Sequence, residues 1–228
     1  MSSYDPWAAD YDGWSADMTE DVAWYVGLAR EAAEPIVELA VGSGRVAIPI
    51  VRETGKHVIG IDSSPAMLAV ARERSTGLPL ELRQGDMRDL ALEEPVELVI
   101  CPYRALLHLP TWADKRRVFE RVAASLRPGG RFAFNAFVFD HAIAARLDGT
   151  TREQNGVVHT IRHVPADSRI EIARDDGATI RVWWATKSEW DGLVDVAGLE
   201  TEALYGWFDG RPFDDDAREF VWVARRPA

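Results

Sequence analysis

The stretch Glu38-Leu39-Ala40-Val41-Gly42-Ser43-Gly44-Arg45 joins an apolar run to a helical pattern. Small residues at such a junction let the backbone approach a ligand closely, and glycines admit dihedrals that other residues avoid. An ordinary glycine turn is the plain alternative. Gly42-x-Gly44-x-x-Ala47 also fits a dinucleotide fingerprint, which alone is a weak signal. The flanks give it context. Residues 36–41 read as a short strand, and a helix opens near Arg45. Upstream, Val22, Val26 and Ala29 recur at helical spacing through residues 20–33, and Pro35 stops that helix.

Downstream, strands and helices alternate. Residues 57–61 read as the second strand. Ser63-Ser64-Pro65 then supplies an N-cap and a first-turn proline for a helix reaching about Arg74. Residues 80–83 and 96–100 are further strands. A helix over 112–126 turns Val118, Phe119, Val122 and Leu126 inward, Arg127-Pro128-Gly129-Gly130 ends it, and 131–139 form the fifth strand. This alternation predicts a mostly parallel sheet covered by helices on both faces. The pattern then changes to three antiparallel strands at 157–164, 169–173 and 179–186, with Asp175-Asp176-Gly177 as a turn. A helix resumes at Ser188 with Trp190, Leu193, Val194 and Ala197 in phase, and Gly198 ends it. Strands at 200–208 and 218–225 flank an acidic turn. The expected organisation is one domain: an N-terminal covering segment (1–34), a core (35–139), a small β insertion (140–187) too short to fold alone, and a closing helix and strand pair (188–228).

The 228 residues carry a formal charge of −11, which disfavours nucleic-acid substrates. Two basic clusters, Lys115-Arg116-Arg117 and Arg225-Arg226, read as solvated surface. No apolar run is long enough for a membrane span, and the N-terminus lacks a signal core. The single cysteine, Cys101, fits a cytoplasmic protein without disulfides. Nine tryptophans serve the core or line a pocket for an organic ligand.

Asp62 ends the second strand about twenty residues after the glycines, where an acidic residue accepts both ribose hydroxyls of a nucleoside cofactor. Asp86, in Gln84-Gly85-Asp86-Met87 after the third strand, is placed either to accept from an adenine amino group or to cap a turn. Met87 can pack on the adenine face.

With these residues in order, the sequence resembles the class I S-adenosylmethionine (SAM)-dependent methyltransferases. ELAVGSGR is similar to their glycine motif, IGIDSSPAML to their ribose motif and RQGDMRDL to their adenine motif. VELVICPYRALLHL and LRPGGRF resemble their fourth-strand region and the turn before the fifth strand. The likeness runs from about Pro35 to Phe139 and resumes at the closing helix and strands. Ala40 stands where the family has its first glycine. The insertion resembles the lid of sugar-amine and glycine-type N-methyltransferases. The resemblance implies a Rossmann-like α/β fold with a seven-stranded sheet and a small antiparallel lid. It implies SAM as cofactor and S-adenosylhomocysteine (SAH) as product. It also implies a cofactor set of Glu38, Ala40, Gly42, Gly44, Asp62, Ser63, Met67, Asp86, Met87 and Cys101. Of these, Glu38 and the Gly42–Gly44 backbone would face the methionyl amino group and carboxylate. Cys101 is alternatively a small buried core residue.

The Tyr4–Asp12 stretch resembles the segment that folds over the cofactor in small-molecule members, and alternatively is a surface helix with aromatic anchors. Acceptor-side candidates are Tyr11, Trp14, Tyr103, His108, Asn135 and His141, with His108, Tyr11 and Tyr103 as the catalytic choices. His108 is either a general base, its reference pKa being about 6.5, or a packed residue beside the cofactor. No compact metal-ligand spacing occurs, and none is needed for methyl transfer. The expected partner is a small organic acceptor methylated at nitrogen or oxygen, with neither nucleic acid nor membrane; a homodimer is left open. Competing readings are a nicotinamide-dependent oxidoreductase and a non-catalytic SAM- or protein-binding module.

Overall fold

A computed structural model describes residues 4–8, 11–14, 19–154 and 156–228. A single turn of 3-10 helix at Asp5–Trp7 and a short helix α1 (Tyr11–Trp14) precede α2 (Glu20–Glu31). The core then alternates as read: β1 (Ile36–Leu39), α3 (Ala47–Thr54), β2 (Val58–Asp62), α4 (Pro65–Arg74), β3 (Leu80–Gln84), β4 (Val96–Cys101), α5 (Trp112–Ser125) and β5 (Leu126–Phe137). The α4 cap is Ser64, whose hydroxyl accepts from the Met67 N–H at 3.1 Å. After the insertion come α7 (Lys187–Val196), β10 (Glu200–Tyr205) and β11 (Glu219–Arg225). Helix α7 opens on a capping box between Thr186 and Glu189.

The seven strands lie in the order β10-β11-β5-β4-β1-β2-β3, and β11 alone runs against its neighbours. The β1–β4 junction is where the strand order reverses. In such sheets ligands bind beyond the carboxyl ends of the strands at that reversal. Both sheet faces are buried, as a parallel sheet requires. Val37 and Leu39 of β1 share a sheet face with Phe132, Phe134 and Trp222, packed under Phe119 of α5 and Trp190 of α7. Ile36 faces Tyr25, Val26, Ile50 and Leu68 under α2–α4. Glu38 shares the Ile36 side by strand alternation, so this carboxylate is carried into the α2–α3 layer.

The Arg127–Gly130 segment is not a free turn. It is folded into the start of β5, where the β4–β5 register shifts between Val96 and Leu98. A Cβ on Gly130 would sit 2.9 Å from the Arg127 carbonyl oxygen and 3.1 Å from that of Val96, so only glycine fits there. Strand β5 also ends two residues earlier than expected.

The insertion holds more than the three strands expected. Helix α6 (His141–Leu147) is capped by Asp140, which accepts from the Ala142 and Ile143 N–H groups. Strands β6 (Thr151–Gln154), β7 (Val157–Val164), β8 (Arg169–Arg174) and β9 (Thr179–Trp183) then form a separate antiparallel sheet in sequence order. The unforeseen strand β6 reads Thr-Arg-Glu-Gln; at the sheet edge it has no apolar alternation to announce it. The arrangement fits a lid.

Candidate active site

The turn after β1 is built on positive φ angles at Ala40 (54°), Gly42 (56°) and Gly44 (83°). At Gly44 glycine is doubly required, because a Cβ would meet Ile48 Cδ1 at 2.8 Å. Ala40 adopts the same left-handed region with a side chain, which costs roughly 1–2 kcal/mol. Asp62 ties this turn to β2: its carboxylate accepts from the Gly42 N–H at 2.8 Å and from the Ser64 N–H at 2.8 Å. Burial pushes its pKa up, against those two hydrogen bonds.

Three adjoining hollows meet at Ala40, Asp62 and His108. The first, about 380 Å³, is walled by Tyr4, Tyr11, Tyr103 and Met67. The rings of Tyr4 and Tyr11 meet edge-on at 5.7 Å, and those of Tyr11 and Tyr103 at 6.2 Å. The second, about 640 Å³, reaches Ser63, Met87 and the β9 residues Thr179, Arg181 and Trp183. The third, about 530 Å³, ends at Gly85, Asp86 and Met87. One cleft thus brings together Tyr11, Ala40, Gly42, Asp62, Ser63, Met67, Asp86, Met87, Tyr103 and His108. Tyr4 and Arg181 belong to it as well and were missed. Tyr4 opens the Tyr4–Asp12 stretch read as covering the cofactor, but nothing local distinguishes it from its neighbours, and Arg181 enters through tertiary folding of the lid.

Glu38 is buried beneath the cleft. Its Oε2 has no hydrogen-bond partner among the described residues, and burial, reinforced by Asp21 and Asp62, pushes its pKa well up against the opposing pull of Arg45. Arg45 is held by fully buried Asp21 through two hydrogen bonds of 2.9 and 2.5 Å and lies 4.5 Å from the Tyr103 ring centre. Asp86 caps the turn Met87–Asp89, its side chain accepting from the Arg88 N–H at 2.9 Å. Both its oxygens also accept from the Arg88 guanidinium, which keeps its pKa low.

His108 differs from the expectation. Its Nδ1 faces the Arg181 carbonyl oxygen at 3.1 Å, and its Nε2 faces the Tyr4 hydroxyl at 2.7 Å. A carbonyl only accepts, so Nδ1 carries the proton and Nε2 accepts from Tyr4. Burial lowers the pKa to about 4. The ring is therefore neutral at physiological pH, its lone pair is engaged, and it ties the N-terminal segment to the lid.

Cys101 is fully buried in the core at the end of β4, does not line the cleft, and has its thiol pKa raised by burial. Gly44 likewise packs against α3 and is not on the cleft wall. Asn135 is fully buried, donating to Glu219 Oε1 at 2.7 Å and accepting from the Tyr25 hydroxyl at 3.0 Å, so it is not free to orient an acceptor. His141 packs edge-on to Phe139 at 4.7 Å, away from the cleft. The side chain of Trp14 lies outside the described residues, as do Ala9 and Asp10. Among the described residues no cluster of His, Cys, Asp or Glu is placed to hold a metal, and no helix is long and apolar enough to cross a membrane.

A cleft at the strand-order reversal, floored by a glycine turn and edged by an acidic residue after each of β2 and β3, defines a nucleoside-cofactor enzyme of the Rossmann-like class. Comparison with known proteins narrows the class. A family model described as a methyltransferase domain matches residues 36–130. The dTDP-4-amino-2,3,4,6-tetradeoxy-D-glucose N,N-dimethyltransferase of Saccharopolyspora spinosa is 32% identical over 214 residues, 87% of this chain and 84% of that one. The structure of the CcbJ methyltransferase from Streptomyces caelestis superposes with a TM-score of 0.83 at 27% identity, covering 100% of this chain and 99% of that one. SAM-bound CalS10, an amino pentose methyltransferase from Micromonospora echinaspora, gives 0.68 at 25% identity, covering 96% and 95%. The chain belongs to the class I SAM-dependent methyltransferases. It is an enzyme with SAM as its cofactor, which removes the nicotinamide and non-catalytic alternatives. The residues fit SAM: the unpartnered buried oxygen of Glu38 suits an ammonium group, and Gly42 lines the cleft with its N–H held by Asp62.

Proposed function

We propose that this enzyme methylates an amine nitrogen of a small organic acceptor. The observation that carries the choice of nitrogen is the state of His108. A neutral amine brings its own lone pair, whereas an alcohol needs a base to remove its proton. His108, with a pKa near 4 and its lone pair taken by Tyr4, is poorly suited to that task. The names of the relatives acting on amino sugars support the same reading. The net charge of −11 and the lid-covered cleft support a small acceptor over a nucleic acid.

When bound, SAM would supply an electrophilic methyl group to the acceptor nitrogen, with SAH as the leaving group. In this reading Glu38 receives the methionyl ammonium, and Gly42 and Ala40 present backbone beside it. Asp62 and Ser63 hold the ribose, Met67 packs beside them, and Asp86 and Met87 bound the adenine. Tyr4, Tyr11 and Tyr103 form an aromatic wall that excludes water from the reacting atoms. His108 is a positioning residue: it fixes Tyr4 and, through Arg181, the lid.

The experiment is a pH–rate profile with two amine acceptors of different pKa. The rise of kcat/KM with pH is expected to follow the acceptor's own ionisation, near 10 for an alkylamine, and to move when the acceptor changes. Tyr4→Phe and His108→Ala are expected to lower kcat by up to about a hundredfold, the cost of a slight misplacement of the reacting groups, without moving that limb. A limb near pH 6–7 that disappears in His108→Ala would instead make His108 the base. A separate titration by calorimetry tests the ribose contact. Folded Asp62→Ala is expected to bind SAM about 1–3 kcal/mol more weakly, because the ribose hydroxyls and the Gly42 N–H lose their acceptor. Unchanged affinity would remove Asp62 from the site.

A further inference from the structure

The lid sheet has two faces, and each lines a different cavity. On β9, Thr179, Arg181 and Trp183 face the cofactor cleft. Strand alternation sends the intervening positions the other way. Across β7 and β8, Ile161, His163 and Ile170 line a second cavity of about 830 Å³, closed by α6 and floored by Phe137 at the end of β5. The register agrees, with His163 opposite Ile170 and Ile170 opposite Val182. The two cavities adjoin at a pair of consecutive residues in left-handed conformation, Tyr103 (φ 54°) and Arg104 (φ 63°). Tyr103 lines the cofactor cleft and Arg104 the second cavity.

We propose that this second cavity seats the body of the acceptor, and that this body is an apolar ring system carrying one hydroxyl or carbonyl group, not a nucleoside diphosphate. The proposal rests on the reading of the enzyme as an amine methyltransferase. Three observations carry it. The walls are mostly hydrocarbon: Ile143, Ala144 and Leu147 from α6 face Ile161 and Ile170 from the lid. The space inside it open to a ligand, about 340 Å³, is at the small end of small-molecule pockets. Its polar equipment is small and specific. His163 Nε2 is buried without a partner among the described residues and is available to one polar group of a ligand. Arg104, the cation at the floor, is already bound by Glu219 through contacts of 2.7 to 3.2 Å. Asp140 is spent on the α6 cap, and Arg218 stands exposed at the mouth. A diphosphate would require cations that this interior does not offer, whereas an apolar ring with one polar substituent matches it. The amine then reaches past the Tyr103–Arg104 turn into the cofactor cleft.

The test is a fluorescence titration of SAH-loaded protein with 2-naphthol, an apolar ring with one hydroxyl, and with dTDP-glucose. The expected result is tighter binding of 2-naphthol than of dTDP-glucose. Ala144→Phe fills the cavity from α6 and is expected to weaken 2-naphthol at least tenfold while SAH affinity stays within twofold. His163→Phe keeps a ring but loses Nε2 and is expected to weaken it threefold or more. If Ala144→Phe fails to fold, seen as lost SAH binding, Ile170→Asp carries the same comparison from the lid side. Tighter binding of dTDP-glucose, or 2-naphthol affinity unchanged in the cavity variants, overturns the proposal. These readouts involve no methyl transfer. An enzyme inert toward amines but behaving as expected here would sink the N-methylation reading alone.

Discussion

Glu38→Gln is expected to weaken SAM binding by about 2–5 kcal/mol, the cost of removing one member of a buried, hydrogen-bonded charge pair. The same substitution is expected to leave the free protein as stable as before or more so near neutral pH. The two signs follow from one cause. Burial raises the Glu38 pKa well above the usual carboxylate range, so the folded protein holds a proton that the unfolded chain releases near pH 4.3–4.5. Below that range both states are protonated and Glu38 contributes no pH dependence. As pH rises from there toward the folded value, the unfolded chain binds fewer protons than the native one, and stability falls. Glutamine cannot ionise and removes that penalty. A ligand ammonium reverses the balance by favouring the carboxylate. SAM binding should therefore release a proton and tighten with pH up to the raised Glu38 value. It should weaken again where the ligand's own amino group deprotonates, near pH 8 for an α-amine. Calorimetry in buffers of different ionisation enthalpy, beside thermal melts of wild type and Glu38→Gln, measures both signs. A variant that keeps SAM affinity and the rising limb would place the ammonium elsewhere.

The part of this site that could be read from sequence is the part made by consecutive residues. Glu38 to Arg45 shows its strand by apolar run and its turn by glycines, and Asp62 and Asp86 sit at fixed offsets from strands with clear patterns. Local sequence did not show that Ala40 bends as a glycine would, because propensity argues against an alanine there. Nor did it decide between the two readings of Asp86; the structure gives it a capping hydrogen bond and leaves it on the cleft wall as well. The contacts that were missed join residues far apart. Tyr4 meets His108 across 104 positions, and that contact alters the chemistry expected of the histidine. Asn135, inside the fifth strand, read as either orienting an acceptor or bonding backbone, because its partners, Tyr25 and Glu219, lie 110 and 84 positions away. The lid was visible as strands, but its second cavity depends on which way each face turns. A stretch with the composition of residues 140–187 fixes the alternation without fixing that direction.

The buried network around Glu219 carries the largest expected loss of stability. Glu219 is fully buried on β11, accepting from Arg104 at 2.7 Å and from Asn135 at 2.7 Å, and Asn135 in turn accepts from Tyr25. It thereby joins α2, the turn after β4, β5 and β11 behind the Tyr103–Arg104 junction. Glu219→Ala strands a guanidinium and a fully buried amide donor. Breaking such a pair from one side costs about 3–5 kcal/mol. The Arg104 side chain is 36% exposed, so water recovers part of its charge, and the expected loss is near the lower end, about 3 kcal/mol. At about 2–4 °C per kcal/mol for a chain of this size, Tm should fall by roughly 6–12 °C. The pairing itself contributes far less than its rupture costs, because bringing both charges out of water offsets most of their attraction. Arg104→Met combined with Glu219→Leu should therefore recover much of the stability lost in Glu219→Ala, less what Asn135 loses as its acceptor disappears. Adding Asn135→Leu removes the stranded amide but leaves the buried Tyr25 hydroxyl without its acceptor, so the triple variant should gain little over the double. Methyl transfer should not recover in parallel, since Arg104 no longer fixes the turn that carries Tyr103 to the cleft. Melts and kcat/KM on the single, double and triple variants check this. A triple variant as unstable as Glu219→Ala would mean that shape complementarity around Glu219, and not its charge, is what the fold requires.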